Sequence, residues 1–96
     1  MGNPTLQNST LPAGVWVNLY TEISVRKGST VAVGTPLGVE HISGYDIRLN
    51  VSAASPAAGS GYTGLRQGEY AENEPGDPGF WALSPFIDAT INLREV

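Results

Sequence analysis

Apolar and polar residues alternate without a break through Tyr45-Asp46-Ile47-Arg48-Leu49-Asn50-Val51. Side chains of an extended chain point to opposite faces in turn. The segment therefore reads as a strand with Tyr45, Ile47, Leu49 and Val51 on a dry face. Asp46, Arg48 and Asn50 fall on a wet or partner-facing one. The same period of two returns in residues 37–42, where Leu37, Val39 and His41 share a face. It returns again in residues 87–94, with Ile87, Ala89, Ile91 and Leu93 on the dry side.

Shorter segments between Gly and Pro punctuation complete the set. Val15-Trp16-Val17-Asn18-Leu19-Tyr20 is β-branched and aromatic, as strands prefer. Residues 23–26 read as a short second strand stopped by Lys27-Gly28-Ser29, and residues 30–33 as a third broken by Gly34-Thr35-Pro36. The turn signal Ser43-Gly44 predicts a β-hairpin over residues 37–51. Residues 62–67 form a weaker strand, residues 69–71 continue after Gly68, and Phe80-Trp81-Ala82-Leu83-Ser84 is a strong strand ended by Pro85. With 12 glycines and 7 prolines, no segment shows helical spacing. These patterns predict an all-β fold, a small antiparallel β-sandwich, jelly-roll-like, of about 7–8 short strands. No fixed-period repeat points to a propeller or solenoid.

A chain of 96 residues makes one domain, with a thin core covering roughly 60–70% of the unfolded surface. It has no cysteine, so neither disulfides nor thiolate metal sites reinforce that core, and partner subunits become a natural source of stability. Residues 1–14 lack periodicity and read as an extended N-terminal arm lying on a neighbouring subunit, with residues 15–96 as the sandwich domain. On that reading, deleting 1–14 weakens assembly and leaves the β fold intact. Residues 53–61 are all small and predict a loop that contacts a partner or forms a tip.

Charge narrows the function. Nine acids against five scattered bases give a net charge of −4, without the basic patch that duplex binding requires, so nucleic acid is not an expected partner. No apolar run approaches the ~20 residues needed to span a bilayer. The start lacks a signal-peptide pattern and, with Leu6 where Ser or Thr is needed, a myristoylation pattern. A soluble protein made in a cytoplasm is expected.

Candidate chemistry is sparse. His41 is the only histidine and sits in a strand alternation without a G-x-S-x-G motif, so a buried histidine bonded to backbone is expected. Glu69, Glu72, Glu74 and Asp77 cluster without the D-x-[DN]-x-[DN]-G calcium pattern, and read as an acidic loop facing solvent or a basic partner. No spacing selects a carboxylate pair for glycoside hydrolysis. Trp16 and Trp81 are expected as core or inter-sheet packing residues, although exposed aromatics on one face would bind sugars. The sequons at Asn8 and Asn50 carry no weight without secretion. No enzyme activity, cofactor or metal site is expected.

Several segments in order carry a resemblance. They are Leu11-Pro12-Ala13-Gly14-Val15-Trp16-Val17-Asn18-Leu19-Tyr20, Val31-Ala32-Val33-Gly34-Thr35, Tyr45-Asp46-Ile47-Arg48-Leu49, Gln67-Gly68-Glu69, Gly79-Phe80-Trp81-Ala82-Leu83-Ser84 and Ile91-Asn92-Leu93. Together they resemble small structural proteins of tailed bacteriophage virions, with a W-x-x-L-Y opening and a closing I-N-L strand. The resemblance implies a non-catalytic, oligomeric component of the virion, made in the bacterial cytoplasm. Such a protein decorates, cements or connects head, neck or tail proteins, in contact with other virion proteins and copies of itself. Aromatic and arginine anchors dominate interfaces, which makes Trp16, Tyr62, Arg66 and Tyr70 the expected partner contacts. The alternative reading is a carbohydrate- or receptor-binding module of a phage adhesin.

Overall fold

The computed structural model describes residues 6–57 and 59–96. Among these residues, eight strands form two four-stranded antiparallel sheets, with one helix. The strands are β1 (Ser9–Leu11), β2 (Val17–Asn18), β3 (Leu37–Ser43), β4 (Ile47–Asn50), β5 (Thr63–Leu65), β6 (Tyr70–Glu72), β7 (Trp81–Leu83) and β8 (Ala89–Glu95). The helix, α1 (Leu19–Lys27), follows β2 directly. The first sheet runs β1-β8-β3-β6 and the second β2-β7-β4-β5.

That order is the jelly roll. First pairs with last, second with seventh, third with sixth and fourth with fifth, as in one long hairpin wound into a double sheet. The β1–β2, β3–β4, β5–β6 and β7–β8 connections all emerge at one end, here termed the loop end. Backbone bonds tie them there: Gly14 N–H donates to Ser84 O at 2.7 Å and Gly68 N–H to His41 O at 2.7 Å. The Asp88 carboxylate accepts from Ala13 N–H at 2.9 Å.

The core lies between the sheets and is aliphatic: Leu11, Leu19, Ile23, Leu37, Val39, Ile47 and Ile91 are completely buried. Each such side chain contributes ~1.5–3 kcal/mol relative to exposure. Leu37, Val39 and His41 face inward together, as their alternation predicts, and so do Ala89, Ile91 and Leu93. Tyr45, Val51 and Ile87 depart from their predicted dry faces. They lie beyond the paired lengths of β4 and β8 and are exposed.

Four expectations are corrected. Residues 19–27, read as parts of two strands, are helical because local capping outweighs strand propensity. The Asn18 side chain accepts from Tyr20 and Thr21 N–H, and Gly28 closes the helix in the left-handed region at φ 80°, a conformation glycine adopts at least cost. An i,i+4 pair, Glu22 and Arg26 at 3.2 Å, supports it. Residues 30–33 are not a strand. Val31 N–H is held by the Ser24 hydroxyl at 2.9 Å and the chain then turns, with Thr35 N–H on Ala32 O.

The 37–51 hairpin is also absent. β3 has β8 on one edge and β6 on the other, so β4 crosses to the second sheet. The Ser43-Gly44 turn does form, with Gly44 at φ 118°, but it joins sheets rather than neighbours. Finally, residues 9–11 of the expected arm are β1, paired with β8 and burying Leu11. Residues 1–5 of that arm lie outside the described residues.

Opposite the loop end, Asn73 joins three segments. Its Oδ1 accepts from Leu37 N–H at 2.7 Å, and its amide donates to the Tyr20 hydroxyl at 2.9 Å. That hydroxyl donates to Thr35 O at 2.7 Å. Every member of this buried network is thereby satisfied, which burial requires. No helix among the described residues is long and apolar enough to cross a membrane.

Candidate functional site

The outer face of the second sheet follows from strand register. Ala82 and Leu49 point into the core, so their neighbours Trp81, Leu83, Arg48 and Asn50 point outward. The pairs Arg48 with Leu83 and Asn50 with Trp81 sit side by side across β4 and β7. Trp16 precedes edge strand β2 and Tyr62 precedes the opposite edge strand β5. Both tryptophans are therefore half-buried on this outer face, contrary to their expected place between the sheets. The aromatic volume of the core comes from Tyr20 and Phe80 instead.

Ala57, Gly59 and Ser60 of the small-residue segment border this face. The Asn50 amide donates to Gly61 O at 2.6 Å and accepts from the Ser52 hydroxyl at 2.7 Å. Trp81 Nε1–H donates to Ser52 O at 2.9 Å. Gly79 permits the approach, because a Cβ there would run into the Ser52 carbonyl. Between the loop and the sheet lies a cleft of about 470 Å³ with Trp16, Tyr62, Arg48 and Leu83 among its walls. The Arg48 guanidinium stands 4.5 Å from the Tyr62 ring centroid.

A second site lies at the loop end. Gly44, Tyr45, Asp46, Arg66, Gln67 and Phe86 line a groove of about 590 Å³ formed by three connections. Phe86 is 74% exposed and Tyr45 63%, with Ile87 also exposed beside them. The Arg66 side chain is free of ion pairs among the described residues, while the Arg66 backbone N–H donates to Glu69 Oε1 at 2.6 Å. Tyr70 is elsewhere, on the outer face of the first sheet, stacked 4.3 Å from the Arg94 guanidinium. Thus the four expected contacts divide among three surfaces: Trp16 and Tyr62 share the cleft, Arg66 lines the loop end, and Tyr70 stands apart.

Tyr45 and Phe86 were not among the expected contacts, and Arg48 was expected only as part of a wet or partner-facing strand face. Arg48 had a signal, since it occupies the wet face of the clearest alternation in the chain. Phe86 had a weaker one, an aromatic just after Pro85 in an inter-strand turn, where large apolar residues have little core to enter.

His41 is completely buried, with Nε2 2.6 Å from Tyr45 O, so the expected backbone partner is present. Its Nδ1 has no hydrogen-bond partner among the described residues. The acids of residues 69–77 are separated by their own bonds: Glu69 binds Arg66 N–H, Glu72 the Tyr70 hydroxyl, and Asp77 the Glu74 N–H. Among the described residues, no group of three or more His, Cys, Asp or Glu is placed to hold a metal ion. Set against protein-family models, curated proteins and solved structures, the chain matches none.

Proposed function

We propose that this chain is a structural component of a tailed-phage virion, working through protein–protein contacts rather than catalysis. In this reading the jelly roll is a rigid mount whose loop end docks onto copies of itself or onto other head, neck or tail proteins. The observation that carries it is the grouping of exposed Tyr45 and Phe86 around one groove with Arg66, with exposed Ile87 next in the chain to Phe86. Exposed apolar clusters of this kind mark interaction surfaces, and aromatic and arginine side chains are the usual anchors. The jelly roll is also a common fold of viral shell proteins, although a fold by itself assigns no function.

The test joins two measurements. Sedimentation of the purified chain over a wide concentration range reads self-association, and quantitative mass spectrometry of purified particles reads incorporation. The wild type is expected to associate or incorporate. Phe86→Ser is expected to reduce either by at least about tenfold, a loss typical of one interface anchor, with the far-UV spectrum unchanged. A chain that stays monomeric and is missing from particles would sink the reading.

A further inference from the structure

We propose that the cleft on the outer face of the second sheet is a binding site for an acidic glycan, a sugar chain bearing carboxylate groups. This goes beyond the assembly reading and does not depend on it, because the cleft and the loop-end groove use different residues. Arg48 is half-buried, its guanidinium lies 4.5 Å from the Tyr62 ring centroid, and among the described residues it has no carboxylate or hydrogen-bond partner. Asp46, on the same face of β4, lines the loop-end groove instead. A guanidinium presents five donors in a planar fork matched to a carboxylate. Here that fork is presented at a cleft wall.

The rest of the cleft suits a pyranose ring. Trp16 and Tyr62 both line the cleft, so aromatic surface is available to a sugar ring, with one face of Tyr62 covered by Arg48. Leu83 contributes to an apolar floor beside Arg48. The rim contributed by Gly14, Gly59 and Ser60 is nearly bare backbone, which offers N–H and C=O groups to sugar hydroxyls without side chains in the way. A volume of about 470 Å³ falls within the usual size of small-ligand sites. Asn50 is held by Gly61 and Ser52, and Trp81 by Ser52. The two ends of the loop, at Ser52 and Gly61, are thus tied to the sheet beside the cleft. The net charge of −4 opposes an anion at long range, but physiological salt screens it beyond ~8 Å, leaving the local arginine to decide.

The experiment titrates the purified full chain with a galacturonic-acid oligosaccharide and, separately, with a neutral galactose oligosaccharide of equal length. Tryptophan fluorescence reports on Trp16 and calorimetry gives the affinity. The acidic oligosaccharide is expected to bind at least about tenfold more tightly than the neutral one. Arg48→Gln is expected to remove that preference, and Tyr62→Ala to weaken both ligands, with thermal midpoints near the wild type. Phe86→Ser, which tests the loop end, is expected to leave the titration unchanged. No binding of the acidic oligosaccharide, equal affinity for the neutral one, or an unaltered Arg48→Gln titration each overturns the proposal. So does a short peptide with a free C-terminal carboxylate that binds as tightly, because it would assign the arginine to a protein partner.

Discussion

Tyr70 shows how one glycine shapes a surface. The ring lies across Gly38 of the neighbouring strand, where a Cβ would overlap its hydroxyl. In that position the hydroxyl donates to Glu72 at 2.6 Å, and Arg94 Nε–H donates to it at 3.2 Å. Burial and then the Glu72 bond raise the Tyr70 pKa above 10.0. Because the folded value lies above the unfolded one, this tyrosine contributes stability at pH values below the unfolded pKa. That contribution is lost as pH rises through the folded pKa. In a spectrophotometric titration, Tyr70 is expected to give a component that ionises later than an ordinary tyrosine, and Tyr70→Phe to remove that late component. An unchanged titration in the variant would refute the assignment. Gly38→Ala is expected to displace the ring, abolish the late component and cost about 1 kcal/mol in chemical denaturation, at the low end for overpacking because an exposed side chain can swing away.

At the scale of elements, the strands with long alternation were legible, while β1 and the helix were not. β3, β4 and β8 announce themselves through alternation because each has one face on the core and one on the outside. Helix α1 lacks an apolar stripe of its own: Leu19, Tyr20 and Ile23 are buried, while Val25 is 69% exposed. Its residues therefore look strand-like, and the information that makes them helical sits at its two ends. Asn18 and Gly28 are ordinary turn residues until they are read as a pair of caps. The candidate site was half legible for a related reason. Trp16 and Tyr62 could be chosen by type, but their meeting around Arg48 depends on which strands form the sheet edges, and that is a property of topology. If the caps specify the helix, Asn18→Ala should cost about 1 kcal/mol, read as a lower denaturation midpoint with an unchanged m-value. No change would mean that tertiary packing alone holds residues 19–27 in helical form.

At the scale of the molecule, the wound hairpin makes the first and last strands interdependent. β1 covers one edge of β8 and delivers Leu11 to the core, so removing residues 1–14 exposes that edge and empties a buried leucine site. Loss of a buried leucine costs about 2–5 kcal/mol, from a total that is typically only about 5–15 kcal/mol. The truncated chain is therefore expected to have a much lower denaturation midpoint, and an unshifted midpoint would show that β1 is dispensable.

The same topology bears on kinetics. Only β4 and β5 are both consecutive in the chain and paired in a sheet, and a connection of 12 residues (51 to 62) separates even those two. Every other pairing requires a longer loop to close before any contact offsets its entropy, which slows folding. Stopped-flow refolding followed by tryptophan fluorescence is expected to relax over ~milliseconds to seconds. The Leu11→Ala variant should mainly accelerate unfolding if the β1–β8 pairing closes last, because contacts formed after the transition state are felt on the unfolding limb. A slower folding limb with unchanged unfolding would place that pairing in the nucleus, and the jelly roll would then form from its open ends inward rather than from the β4–β5 tip.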